Sequence, residues 1–137
     1  MAFKVKSGKV KNVWLPVTAS TALSANSLVT FTSGKLVAAT AGTANTNIAG
    51  VLVKAIAATD DDYANERLVA VTVPLEKHVV WEADVTSGLV AADRGLEVDA
   101  TSATHLNRGA SSVDVAKVLN VISTTKGDVW LKINGSY

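Results

Sequence analysis

The residues in this chain that could do chemistry are few. Only two histidines occur in 137 residues. His78 lies close to Glu76, Glu82 and Asp84, types that could orient an imidazole for proton transfer or hold a metal ion. On a strand, however, His78, Glu82 and Asp84 fall on one face. There they read as polar partners on the side away from Val79 and Trp81. His105 sits in a Thr/Ser/Asn-rich stretch and reads as solvated. Asp60-Asp61-Asp62 lacks the alternating oxygen ligands, turn glycine and distal Glu of an EF-hand loop, so it reads as an acidic surface loop. Cysteine is absent, which excludes disulfides, thiolate metal sites and a cysteine nucleophile. There is no phosphate-binding glycine pattern and no Gly-x-Ser-x-Gly elbow. No catalytic, cofactor-binding or metal-ligating residue is expected, and no enzymatic activity.

The elements that carry these residues read as strands. Around the middle of the chain, residues 67–85 hold two alternating runs, Leu68 to Val73 and Val79 to Val85, rich in β-branched and aromatic side chains. Period-two alternation of this kind predicts strands. Pro74 and the polar Glu76-Lys77-His78 separate them, as a residue without a backbone donor should. Further strands are expected at 28–31, at 36–39 after a Ser33-Gly34 hairpin turn, and at 48–53, where Gly50 suggests a bulge or a close backbone approach. Residues 55–58 could continue that strand or form a helical turn, and 111–118 could be a short helix.

Composition points the same way. Hydrophobic residues make up 48% of the chain but aromatics only 5%, so a core of Val, Ala, Leu and Ile should be thin. Charged residues are 18% and mean hydropathy is +0.27, a balance that suggests surface hidden in an assembly. A net charge of +1 carries no signature of nucleic-acid or anionic-membrane binding. No apolar stretch suits a signal peptide or a membrane span, so production in a cytoplasm is expected.

The chain also resembles itself. Residues 32–42 resemble 86–95, 48–52 resemble 115–119, and 68–73 resemble 129–133, in the same order. An internal pseudo-repeat over roughly 23–73 and 78–133 follows. Two sets of short strands with frequent turns predict an all-β fold: a small barrel or sandwich of short antiparallel strands with an extended N-terminal arm. The arm is expected over 1–14 and a single β-barrel domain over 15–137. Lys4, Lys6, Lys9 and Lys11 give the arm a basic character without an acidic residue. Trp14, Trp81 and Trp130 read as core or interface anchors.

Leu28 to Phe31, Gly34-Lys35-Leu36-Val37, Ile48-Ala49-Gly50-Val51-Leu52, Val69-Ala70-Val71-Thr72-Val73-Pro74 and the stretch 83–95 together resemble the small β-barrel capsid cement (decoration) proteins of tailed bacteriophages. The resemblance spans about residues 20–133. It implies a viral structural protein: a homotrimer on the outer surface of the virion capsid, assembled in the host cytoplasm. Its partner would be the major capsid protein, whose subunits it bridges in the expanded head. No cofactor, nucleic acid or membrane is implied. The resemblance also implies attachment through the arm, with Phe3, Lys4, Lys6, Lys9, Lys11 and Trp14 as candidate capsid-binding residues. Other readings are a head-fibre base, a tail-associated adaptor, or a small-ligand-binding barrel, the last disfavoured by so few aromatics.

Overall fold

A computed structural model of the chain describes residues 2–86, 88–135 and 137. Met1, at the start of the expected arm, and Ser87, inside the 86–95 match, lie outside the described residues. The strands are β1 (Phe3–Ser7), β2 (Val10–Pro16), β3 (Leu28–Thr32), β4 (Lys35–Ala38), β5 (Ile48–Leu52), β6 (Leu68–Pro74), β7 (Val80–Asp84), β8 (Glu97–Ala100), β9 (Leu106–Asn107), β10 (Ala116–Ser123) and β11 (Lys126–Leu131). Two single 3₁₀ turns complete the regular structure of the described residues. The all-β expectation holds, and no helix among the described residues is long and apolar enough to cross a membrane.

Two antiparallel sheets form. One has the order β2-β6-β5-β3-β4 and the other β1-β7-β11-β10-β8-β9. With β1 set aside, each sheet takes its five consecutive strands in the same spatial order: first, fifth, fourth, second, third. In each, one parallel bridge returns the last strand in space to the chain just past the first, Leu36 to Val17 and Leu106 to Val85. The hydrogen bonds at these corners also correspond. Val17 N–H donates to the Arg67 carbonyl and Val85 N–H to that of Thr125, while Asn26 N–H donates to Leu52 and Gly95 N–H to Val118. Asn26 and Gly95 both have positive φ, 58° and 87°, which suits the two residue types that tolerate the left-handed region.

The pseudo-repeat is therefore real, but it runs from β2 to β6 and from β7 to β11. In register, Val13 and Trp81 are counterparts, each facing Val71 or Val129 across the ladder. Leu52 and Val118 face the same two valines from the other side. The expected matches are thus displaced: 48–52 by one position, 68–73 by three. The stretch 86–95 follows β7 and corresponds to the chain just after β2, not to 32–42. The competing helices at 55–58 and 111–118 are not formed. Ile56 bridges Leu23, and β10 begins at Ala116.

The N-terminal arm also needs correction. It is extended, but β1 and β2 are both paired within the molecule, so a domain boundary after residue 14 would cut β2. β1 joins β7, with Phe3 opposite Ala83 and Val5 opposite Trp81. β2 joins β6 along its whole length. Burial explains why the lysine-rich segment docks: Phe3 is only 1% exposed and sits in the larger core cluster. That cluster fills the second sheet's curl and includes Leu28, Ile48 and Val51 from the back of the first sheet. A smaller cluster, Val29, Leu36, Leu52, Val69 and Val71 among it, fills the curl of the first sheet.

Local chemistry fits this frame. Ser33 and Gly34 have φ of 52° and 78°, as a two-residue hairpin between β3 and β4 requires. Pro16 and Pro74 close opposite ends of the β2–β6 ladder, where a missing donor is tolerated. At Gly50 the β3–β5 register slips by one residue. A Cβ there would lie 2.5 Å from Val71 and 2.6 Å from the Thr72 carbonyl, so the expected bulge is also a close backbone approach.

Candidate functional site

His78 does not meet the carboxylates near it in sequence. Its ring stacks on Trp130, with centroids 4.2 Å apart. Glu82 and Asp84 instead face Lys126 across the β7–β11 ladder, each 3.8 Å from its ammonium. His105 is exposed, with Nδ1 2.9 Å from the Thr104 hydroxyl. In the acidic loop, Asp60 and Asp62 both pair with Arg67. The Asp60 carboxyl is held below its usual range by the Ala57 N–H and by that guanidinium. Among the described residues, no three His, Cys, Asp or Glu side chains converge as a metal site.

The surface feature that stands out is apolar. Along β2, Val13 and Leu15 turn toward the smaller core, so the alternation sends Trp14 outward. It is 65% exposed. Its cross-strand partner is Ala70, and Leu68, two residues before Ala70 on β6, is 61% exposed. Val53, whose N–H bonds the Ala70 carbonyl, is exposed as well. These side chains line a shallow depression that ends at Lys54, Arg67 and Asp60-Asp61-Asp62. An apolar strip with a charged rim is the composition of an interaction surface.

The strip borders an open strand. β2 is the outermost strand of its sheet, and bridging to β4 begins only at Val17. The groove side of β2 opens into a second depression of about 540 Å³, lined by Val13, Leu15, Phe31, Ala49, Val73 and Tyr137 among others. Tyr137 is fixed there by donating to Glu97 at 2.9 Å. Burial and that bond to a carboxylate push its pKa up, keeping the phenol neutral.

The six residues expected to bind a capsid separate into two groups. Phe3 is core. Lys4 lies opposite Glu82 in the β1–β7 register, and Lys6 pairs with Asp128 at 3.0 Å. Lys9 and Lys11 are exposed and make no ion pair among the described residues. The Lys9 backbone is tied down, its N–H to Glu76 at 3.0 Å and its carbonyl to the Leu75 N–H at 2.8 Å. Thus Lys9, Lys11 and Trp14 lie along one open edge, while β1 puts Phe3 in the core and sets Lys4 and Lys6, both exposed, beside the acidic residues of β7 and β11. The signal that would have separated them is the Phe3/Val5 alternation, which marks an inward face beneath the lysines. Leu68 and Val53 carry no such signal, because isolated apolar residues in strands give no sign of exposure. No protein-family model and no curated protein matches this chain.

Proposed function

We propose that this chain is a structural virion protein, a capsid decoration or cement protein. On this reading it sits as a trimer on the outer surface of an expanded phage head and bridges subunits of the major capsid protein. The observation that supports it is the open edge of β2, where exposed Trp14 and Leu68 lie beside the unpaired Lys9 and Lys11. Such an edge offers apolar contact, cationic contact and free backbone groups to a neighbouring protein. The burial of Phe3 moves the attachment site from the whole arm to its second half. Three copies of a weak site act at high effective concentration, with avidity gains of about 10²–10⁴.

Removing residues 2–12 would strip out β1 and its core side chain, so truncation is a poor test. A Lys9→Glu, Lys11→Glu, Trp14→Ser triple variant leaves the core intact. Co-sedimentation with expanded heads of the phage carrying the gene should fall at least tenfold, and wild-type binding should weaken with salt. Undiminished binding by the folded variant, or wild-type protein that ignores expanded heads, overturns the reading.

A further inference from the structure

The internal repeat shows what is missing from one half. In the second sheet, the outer edge of β7 is covered by β1. In the first sheet, β2 is the counterpart of β7, and no strand among the described residues pairs with its outer edge over residues 10–15. The groove residues match position by position. Val13, Leu15, Phe31, Ala49 and Val73 correspond to Trp81, Ala83, Ala100, Val115 and Leu131. The second set is fully buried together with Phe3, whereas Val13, Leu15 and Val73 are half-buried and Phe31 is exposed. We infer that the outer edge of β2 is a vacant strand position that accepts an extended segment of a partner protein.

The chemistry of the slot specifies that segment. Following β1 on β7, it would run antiparallel to β2, with an aromatic residue opposite Leu15, as Phe3 is opposite Ala83, and an aliphatic one opposite Val13, as Val5 is opposite Trp81. The next groove-side position faces Lys11, which has no carboxylate among the described residues, so an acid fits there. The outward positions lie opposite Trp14 and Asn12, beside the apolar strip, and must be uncharged. The motif is therefore aromatic, uncharged, aliphatic, uncharged, acidic, read from N- to C-terminus.

A second copy of this chain does not supply it. In the second sheet Lys6 pairs with Asp128 and Lys4 lies opposite Glu82, and the counterparts of those two acids beside β2 are Ala70 and Trp14. A β1 strand placed there would lay Lys4 and Lys6 on apolar surface. Pairing β2 with another β2 face to face puts Lys9 or Lys11 opposite Val13, Leu15, Val17 or another lysine in every register. Edge lysines of this kind discourage self-association.

The slot is read from the two halves alone; only the identity of the partner as coat protein rests on the capsid reading. The test titrates ¹⁵N-labelled protein with acetyl-Phe-Thr-Val-Thr-Glu-amide. Saturable shift changes and slowed amide exchange should be confined to residues 10–16 and the groove. Changing the peptide's Glu to Lys, or Lys11→Glu in the protein, should weaken binding about tenfold, and combining the two should restore it. Absence of saturable binding, equal binding by a scrambled peptide, or shifts at β1 instead overturns the slot. Concentration-dependent protection of β2 without peptide also overturns it, in favour of a second copy. Peptide binding without head binding removes the capsid partner and keeps the slot; head binding without peptide binding does the reverse.

Discussion

The two halves share a topology and differ in what they do with one face of it. On β7 and β11 the outward positions carry Glu82, Lys126 and Asp128, which pair with one another and with Lys6 of β1. On β2 and β6 the same positions carry Trp14, Leu68 and Ala70, of which Trp14 and Leu68 are largely exposed and none is charged. The second half has spent its outward positions on internal pairing, and its curl holds the larger cluster of twenty buried hydrophobic residues, four of them (Leu28, Ala39, Ile48 and Val51) lent by the first half, against nine in the cluster that fills the first sheet's curl. A duplicated frame of this kind lets β1 close the edge of one copy while the edge of the other stays open.

That division is most open to attack at the paired positions Trp81 and Val13. Trp81 is 1% exposed at the centre of the larger cluster. Trp81→Ala should lower unfolding stability by about 3–5 kcal/mol, the range for removing a buried large aromatic. Val13→Ala, at the half-buried counterpart, should cost about 1 kcal/mol or less. Urea unfolding of both variants checks this. Equal losses would mean that the halves share the load and that the groove beside β2 is already packed.

A second contrast lies in the buried polar residue of each half's second strand. In β3 the Thr30 hydroxyl donates to the Asn47 carbonyl at 2.7 Å. In β8 its counterpart Asp99 accepts from the backbone N–H groups of Ser112, Val113 and Asp114 at 2.8–2.9 Å. Both tie down the loop that leads into the next long strand. Thr30→Val should therefore cost about 1 kcal/mol, and Asp99→Ala about 3 kcal/mol, one for each donor left without its acceptor. Burial raises the Asp99 pKa, but the three N–H groups outweigh it and hold the carboxyl below its usual range. Asp93 is also lowered, by Arg108 and the Val90 N–H. With folded values below the unfolded value of about 4, these groups stabilise the protein above that pH, and the contribution is lost as pH falls through the folded values. Acid titration of the unfolding midpoint should show a shallower fall for Asp99→Ala than for the parent.

Much of this frame was legible from residue order, and what was not has physical causes. The strands from β3 to β7 follow from alternation, and the hairpin at Ser33-Gly34 and the bulge at Gly50 from turn chemistry. β1 was hidden because only Phe3 and Val5 face inward, too short an alternation to outweigh Lys4 and Lys6. Treating the segment before residue 15 as an arm removes β2 from the first half and shifts the repeat out of register. Trp14 stands out by type, but its direction depends on Val13 and Leu15 sharing a core, which is a tertiary fact. The role of Asp99 was invisible, since three loop amides converge on it only after β8 and β10 have paired.

The smallest expected effect bears most directly on function. Trp14 is exposed and packs on no core cluster, so Trp14→Ser should change stability by less than about 0.5 kcal/mol, as is usual for surface positions. On the proposed reading Trp14 is a contact residue, since large exposed aromatics carry most energy when a partner covers them. Its counterpart Glu82 faces Lys4 and lies near Lys126, and Glu82→Ala should cost more, though within about 1 kcal/mol for partly exposed pairs. Thermal unfolding of the two single variants decides between a strip held in reserve and a strip that supports the fold: a loss for Trp14→Ser larger than that for Glu82→Ala would reverse the contrast between the halves.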